Sequence, residues 1–403
     1  MSIPSLEFLI VVLLLSTVFS WLQSAHLRRG LLSLLSAWFL VGIVPDSASA
    51  IGLGVFVLSG WLAAIALTRR PSSLGMAGYI TLLVFAFVVL RKYELLRYFL
   101  PLWLLEHPIG IVGLSYMLFR QIQYVVDSGQ GQIQRHSLWR YLNYQLNLFT
   151  ILAGPIQRYQ DFEASWATLK PSFAGRHELA VAYLRLLWGI VLMTLIAPAC
   201  LDLYDQAVAK TEWARSARVA LFFYSYPAYV YLNFAGYSSV VIAGASLLGL
   251  RLPENFDRPY VARNMIEFWN RWHITLSHWL RDYLFTPSYK ALAQRWPTRA
   301  SSLVPLCYFM VFVVAGVWHG SSANWVVFGL MHGAGVSVAK MWENHLIRRG
   351  GRKGLKQYLQ SRKIRVAATL LNFHFVCSTF LFFPEGLRLC IERISYVLIG
   401  GAG

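Results

Sequence analysis

The sequence predicts an all-α polytopic membrane protein, and three observations carry that expectation. Of its 403 residues, 57% are hydrophobic and 13% charged, roughly half the charged share of a soluble domain, and the mean hydropathy is +0.50. Apolar segments recur along the chain, each near the roughly 20 residues that cross about 30 Å of hydrocarbon. The net charge of +18, from 36 Lys and Arg against 18 Asp and Glu, sits in short stretches between those segments. There it reads as topology signal and contact with anionic membrane lipids, not as a nucleic-acid-binding face.

The segments follow in order. Phe8 to Leu22 has no positive n-region before it and no close small-residue cleavage site, so it is expected to be a retained first span. Glu7 precedes it and His26, Arg28 and Arg29 follow, which places the N-terminus outside the cytoplasm. Leu31 to Val44 returns, and Ile51 to Leu67 crosses again to Thr68, Arg69 and Arg70. Met76 to Leu90 then ends at another basic group, Arg91, Lys92 and Arg97, so either one segment does not span or these residues have structural work. Pro101 to Val126 is interrupted by Glu106 and His107, and its end, GLSYMLFRQIQY, sets Arg120, Gln121 and Gln123 among apolar residues. Polar groups at membrane depth need partners, so this helix should face protein or a wet cavity. Tyr141 to Phe162 breaks at Gly154-Pro155, which suits a re-entrant hairpin. Leu179 to Leu201 is a span containing Arg185, Val219 to Leu232 is rich in tyrosine, and Phe234 to Leu250 has the small residues that let helices approach closely.

Asn264 to Tyr289 is charged, aromatic and helical in period. At roughly 100° per residue, Phe268, Trp269, Trp272, Leu276, Trp279, Leu280 and Tyr283 share one stripe. Glu267, Asn270, Arg271, Thr275, Ser277, His278, Arg281 and Asp282 fill the other side, with His273 at the margin, half withdrawn from water. This predicts an interfacial amphipathic helix with tryptophans at headgroup level and arginines on phosphates. Leu303 to Trp318 ends in His319-Gly320, and Asn324 to Trp342 carries His332-Gly333. Arg348 to Arg365 has eight basic residues and no acid, and is expected to be a cytoplasmic loop. Val366 to Phe383 and Leu387 to Ile399 follow.

GxSxG, HExxH and P-loop signatures are missing, so chemistry must rest on polar residues at membrane depth. These are His273, His319 and His332, with Arg271, Arg281, Asp282 and Asn324 nearby. A lone histidine in an apolar helix is more often packed than catalytic, but three close together shift that balance. One unbroken helix would hold His319 and His332 about 20 Å apart on largely opposite faces. A break at Gly320-Ser321-Ser322-Ala323 would instead leave His319 at a helix end facing a cavity. An imidazole kept neutral there suits proton abstraction from a hydroxyl near pH 7. No ligand set at metal spacing is present, so no metal is expected. Cys200, Cys307, Cys377 and Cys390 form no CxxC pair, which argues against a zinc site or a disulfide framework.

ENFDRPYVARNMIEFWNRWHITLSHWLRDYLF, GVWHG and GLMHG together resemble the membrane-bound O-acyltransferase (MBOAT) superfamily. Within it the likeness is to the bacterial branch of alginate O-acetylation and teichoic-acid D-alanyl transfer proteins. FAGYS at Phe234, AGPIQRY at Ala153 and GLSYMLFRQIQY at Gly113 fit the same branch. The resemblance implies a ring of about ten or eleven transmembrane helices around a central tunnel in the bacterial cytoplasmic (inner) membrane. One integral membrane domain, 1–403, would comprise N-terminal helices (1–100), a catalytic core (113–342), a basic cytoplasmic loop (343–365) and C-terminal helices (366–403).

The resemblance also implies transfer of an acyl group, acetyl before D-alanyl, from a cytoplasmic thioester to an envelope polysaccharide hydroxyl or a relay protein. The donor would be acetyl-CoA or an acyl carrier protein phosphopantetheine, with no bound cofactor, and an extracytoplasmic acyltransferase or relay protein would complete delivery. His319 matches the family's essential histidine in WHG and His273 the tunnel-lining histidine of RWH, which makes both catalytic candidates: His319 as general base on the acceptor hydroxyl, His273 to position or polarise the thioester carbonyl. Trp269, Asn270, Arg271, Ser277, Arg281, Asp282, Trp318, Asn324 and His332 are the substrate-binding candidates, His332 with a structural or tunnel-lining role. Arg271 and Arg281 would either anchor a phosphate or snorkel. Thr286-Pro287-Ser288-Tyr289-Lys290 departs from the alginate-type pattern, and Asn270 leans toward the D-alanyl branch. PENF and WLRDYLFTP lean toward acetylation. A transporter or lipid flippase with an intramembrane His/Arg path is the rival class, though the chain lacks the paired halves usual there.

Overall fold

The computed structural model describes residues 6–93, 98, 101, 109–111, 113–169, 175–320, 322–384 and 386–399. Arg97, Glu106, His107 and Ser321 therefore lie outside the described residues. Among those described there is no strand, and one isolated bridge joins Phe256 to Trp272. The first helices are α1 (Leu6–Trp21), α2 (Ala25–Ile43), α3 (Ser47–Arg69), α4 (Ser73–Leu90), α5 (Leu114–Gly129), α6 (Leu138–Gln145), α7 (Tyr159–Thr168) and α8 (Arg176–Val191). A π-turn at Leu192–Ile196 leads to α9 (Ala197–Ala209) and α10 (Arg215–Leu247). Then come α11 (Met265–Trp269), α12 (Ile274–Leu280), a π-turn at Arg281–Phe285, α13 (Thr286–Arg295), α14 (Ala300–His319), α15 (Ala323–Gln360), α16 (Arg362–Phe380) and α17 (Leu387–Ile394). Among the described residues, five helical stretches are long and apolar enough to cross a membrane: Ser47–Arg69, Ser73–Leu90, Arg176–Ala209, Arg215–Leu247 and Pro297–His319.

The chain forms two compact units, 1–193 with 234–254, and 194–233 with 255–403. In the first, α5 carries the polar residues that the sequence marked as needing partners, and protein gives each side chain at least one, while Arg120 Nε and Nη2 and Gln121 Oε1 are buried without one among the described residues. Arg120 Nη1 donates to Tyr144 O (2.8 Å) and Thr150 Oγ1 (2.6 Å). Gln121 Nε2 donates to Phe56 O (2.9 Å) and Tyr79 OH (2.7 Å). Gln123 Oε1 accepts from Tyr144 OH (2.6 Å) and Tyr159 N (3.1 Å). The Tyr141–Phe162 segment is helix, irregular backbone, helix, and its buried turn residues close these bonds. Arg185, inside an apolar helix, makes two 2.6 Å bonds to the Glu254 carboxylate.

Three expectations are corrected. Val219 to Leu232 and Phe234 to Leu250 are not two spans but parts of the continuous helix α10, which tolerates Pro227 inside it. Nothing between the two segments stops a helix, and the proline's carbonyl accepts instead from Tyr260 OH at 2.7 Å. The basic stretch 343–365 is not a loop. α15 runs through it to Gln360 with one non-helical residue, Gly351 at φ 63°, and α16 starts at Arg362. Its Lys, Arg, Leu and Gln are good helix formers, and glycine alone supplies a break. Finally, 264–289 is not one interfacial helix but α11, a turn at 270–273, α12, a π-turn and the start of α13. Its tryptophans Trp269, Trp272 and Trp279 are buried in protein.

Candidate active site

All three sequence-marked histidines lie in the second unit, each placed by a different local device. His319 is the last residue of α14, and α15 begins at Ala323, so the break expected between them is present. α14 and α15 pack at glycine contact: a Cβ on Gly316 would come within 2.8 Å of Gly329 Cα, and one on Gly329 within 2.7 Å of Phe312 O. This close packing returns Trp325 and Phe328 to the end of α14 and sets His332 farther along, at the level of Phe309 and Phe312. Trp325 stacks on His319 (5.3 Å between centroids, 19° between planes). Trp318 (4.7 Å), Phe328 (6.1 Å) and Phe383 (6.2 Å) close the cage. Gly320 makes the stacking possible. Its backbone is extended (φ −173°), which any residue adopts, but a Cβ there would sit 2.2 Å from Trp325 Nε1. His319 is half-buried, and its ring nitrogens make no hydrogen bond among the described residues.

His332 is occupied on both sides. Trp269 Nε1 donates to His332 Nδ1 at 3.1 Å. An indole can only donate, so Nδ1 is the bare nitrogen and Nε2 carries the proton. Nε2 then donates to Thr379 Oγ1 at 2.8 Å, and Thr379 Oγ1 passes its own proton to Val376 O at 2.7 Å. This imidazole ties α11, α15 and α16 together.

His273 has left-handed backbone, φ 43°, uncommon for a non-glycine residue and a conformation that costs free energy. The segment Asn255–Asp257 holds it there. Ile274 N donates to Asn255 O (3.0 Å) and Asp257 N to Arg271 O (2.9 Å), on either side of the Phe256–Trp272 bridge. The ring is 2% exposed, not half withdrawn as the helical wheel suggested, because the chain turns at 270–273 and drives it inward. His319 and His332 pack against the same ring, Phe328, at 6.1 and 4.1 Å between centroids, and His273 lies in the same unit.

The remaining candidates fall into two groups. Trp269, Asn270, Ser277 and Arg281 line a cavity of about 70 Å³ in this unit. Asn270 also lines a wider cavity of about 460 Å³ with Arg263, Glu267 and Arg365. Arg271 is taken up by carboxylates, with Nη2 on Glu267 Oε1 at 3.0 Å and Nη1 on Asp257 Oδ2 at 3.2 Å. Arg281 Nε bonds its neighbour Asp282 at 2.8 Å. Burial alone would raise the Glu267 carboxyl, but hydrogen bonds from Arg263 and Arg271 outweigh it and hold the group below its ordinary value. Asn324 is buried, donates to Phe382 O at 3.1 Å and accepts from Ser322, so it fixes the start of α15. Trp318 stands against His319.

Sequence reasoning missed Asn255, Trp325 and Thr379. Asn255 lies within PENF and Trp325 five residues beyond WHG, where the motifs themselves could have drawn attention. Nothing in the sequence marked Thr379.

A family profile described as MBOAT, membrane-bound O-acyltransferase family, matches residues 12–349. The teichoic acid D-alanyltransferase of Bacillus subtilis is 27% identical over 291 residues, 69% of this chain and 70% of that protein. That of Streptococcus thermophilus is 28% identical over 289 residues, 70% and 69% of the two chains. The probable alginate O-acetylase AlgI of Pseudomonas aeruginosa is 28% identical over 243 residues, 59% of this chain and 44% of that protein. With the aromatic-caged histidine of WHG and the buried histidine of RWH in one unit, and a profile match over most of its length, the chain belongs to the membrane-bound O-acyltransferase family and is a multi-pass membrane O-acyltransferase.

Proposed function

We propose that this enzyme, in the bacterial cytoplasmic membrane, moves an acyl group from a cytoplasmic thioester to a hydroxyl of an envelope polymer or of a relay protein. The observation that carries the reading is His319: an imidazole in an aromatic cage at a helix end, with no hydrogen bond of its own among the described residues, beside a second buried histidine. In the reaction the acceptor hydroxyl gives its proton to His319 as its oxygen attacks the thioester carbonyl. The C–O bond forms, the C–S bond breaks, and the proton passes on to the departing thiolate. Aromatic walls keep water from competing for the thioester. Arg365, on the wider cavity, suits the phosphate of a phosphopantetheine arm better than Arg263 or Arg271, whose guanidiniums are already paired with carboxylates.

D-alanyl is the acyl group we favour, because the teichoic acid enzymes match over a larger share of both chains than the alginate enzymes do. Acetyl is the second reading, supported by the PENF and WLRDYLFTP motifs. The test is thioester turnover by protein in nanodiscs, offered a D-alanyl carrier-protein thioester or acetyl-CoA, with His319→Ala alongside. Turnover of the D-alanyl thioester is expected, with a loss of about 10²-fold or more in the variant, as for removal of a general base. Turnover of acetyl-CoA alone would favour the second reading. Should neither react, or the variant match wild type, the assignment fails.

A further inference from the structure

We infer that Asn255 is a positioning residue: it fixes the tautomer of His273 so that Nε2, the nitrogen away from the backbone turn, is the one that can accept a proton. The inference rests on the acyl-transfer reading above for its functional meaning, but not for its geometry. Asn255 is fully buried (0% exposed). Its Oδ1 is identified as oxygen by two donors from Thr275, the backbone N–H at 3.4 Å and the hydroxyl at 2.8 Å. A backbone N–H can only donate, so the amide cannot face it with its nitrogen. The same Oδ1 stands 3.1 Å from His273 Nδ1. An amide oxygen only accepts, so Nδ1 must carry the proton, and in the neutral ring Nε2 then holds the lone pair.

The backbone enforces the choice. Asn255 O accepts from Ile274 N, so the residue that reads the imidazole also pins the turn on which that imidazole sits. His273 thus takes a tautomer opposite to that of His332, whose Nε2 carries the proton. His319, at the end of α14, is a titratable group that bears on His273; Asn255 and Thr275 are neutral. With Nε2 as acceptor, His273 does not polarise a carbonyl by donation. It can take the proton that His319 removes from the acceptor hydroxyl and return it, so that it still reaches the departing thiolate.

Two measurements test this. The first is independent of activity: 15N spectra of histidine-labelled protein, with the His273 signals assigned by their absence in His273→Ala. In wild type, a protonated Nδ1 and a bare Nε2 are expected, and Asn255→Ala should give a mixture of tautomers. A bare Nδ1 in wild type, or an unchanged pattern in Asn255→Ala, overturns the proposal. The second is the pH profile of acyl transfer. Asn255→Asp places a carboxylate on Nδ1–H and stabilises the imidazolium, so the acid limb should move up by about one pH unit, a tenfold change in proton concentration at half-activity. Thr275→Val removes one bond to the same oxygen and should lower the rate without moving the limb. An unmoved limb in Asn255→Asp, or the same shift in Thr275→Val, reduces Asn255 to a packing role. Full activity in His273→Ala would instead sink the catalytic reading of His273, while the spectra would still decide the tautomer.

Discussion

His319 and His332 are the same side chain put to opposite uses, and hydrogen bonding separates them. His332→Ala orphans the Trp269 indole N–H in a buried site, worth roughly 1–3 kcal/mol, and removes one bond from Thr379 Oγ1, which keeps its bond to Val376 O. We expect it to lower the melting temperature clearly, measured by thermal denaturation in detergent, whereas His319→Ala should melt close to wild type while losing turnover. Gly320→Ala tests the cage: its Cβ would occupy the position of Trp325 Nε1, so Trp325 must leave the His319 ring. A loss of about tenfold or more in kcat with little change in melting is the expected outcome. Glu267 offers a pH test. Its carboxyl is held below its ordinary value in the folded protein, so its contribution to stability is present above the usual carboxylate range, near 4.5, and is lost as pH falls through the lower folded-state value. Melting temperatures of wild type and Glu267→Gln should therefore converge on acidification below about pH 4.5; a constant gap would contradict the pairing.

At the scale of elements, the hairpin of α14 and α15 depends on glycine surfaces with no room for side chains. Gly329→Val forces a branched side chain against Phe312 O and Gly316, and overpacking of this kind costs about 1–3 kcal/mol. The variant should lose both melting temperature and activity, since His319 and Trp325 stand at the end of that hairpin. The stretch 264–289 shows what helical periodicity can and cannot say. Six of its seven stripe residues, Phe268, Trp269, Trp272, Leu276, Trp279 and Leu280, are buried, but so are His273 and Thr275, which the wheel put off the stripe. The geometry differed because Asn255–Asp257, distant from the turn along the chain, pairs with Arg271–Ile274 and substitutes backbone bonds for helical ones. No local rule contains that partner.

Over the whole molecule, large apolar side chains face outward: Trp21 is 82% exposed, Val41 79%, Leu74 85% and Leu371 75%. Such surfaces are stable only against lipid or detergent. Protein moved to detergent-free buffer should therefore aggregate, and protein moved into nanodiscs should stay monodisperse by size-exclusion chromatography; a monodisperse detergent-free species would contradict the membrane assignment.

The sequence by itself determined the membrane class, the helical content, the family and the identity of the histidines, because hydropathy, helical period and short motifs are local properties. It also determined that Arg120, Gln121 and Gln123 need partners, since a side chain left wholly unpaired at that depth is costly. Only the tertiary structure decided who those partners are, that His332 is saturated, that Trp325 covers His319, and that Asn255 reads the proton on His273. Hydrogen bonds and ring stacking depend on ångström distances between residues far apart in the chain, and folding alone sets those distances.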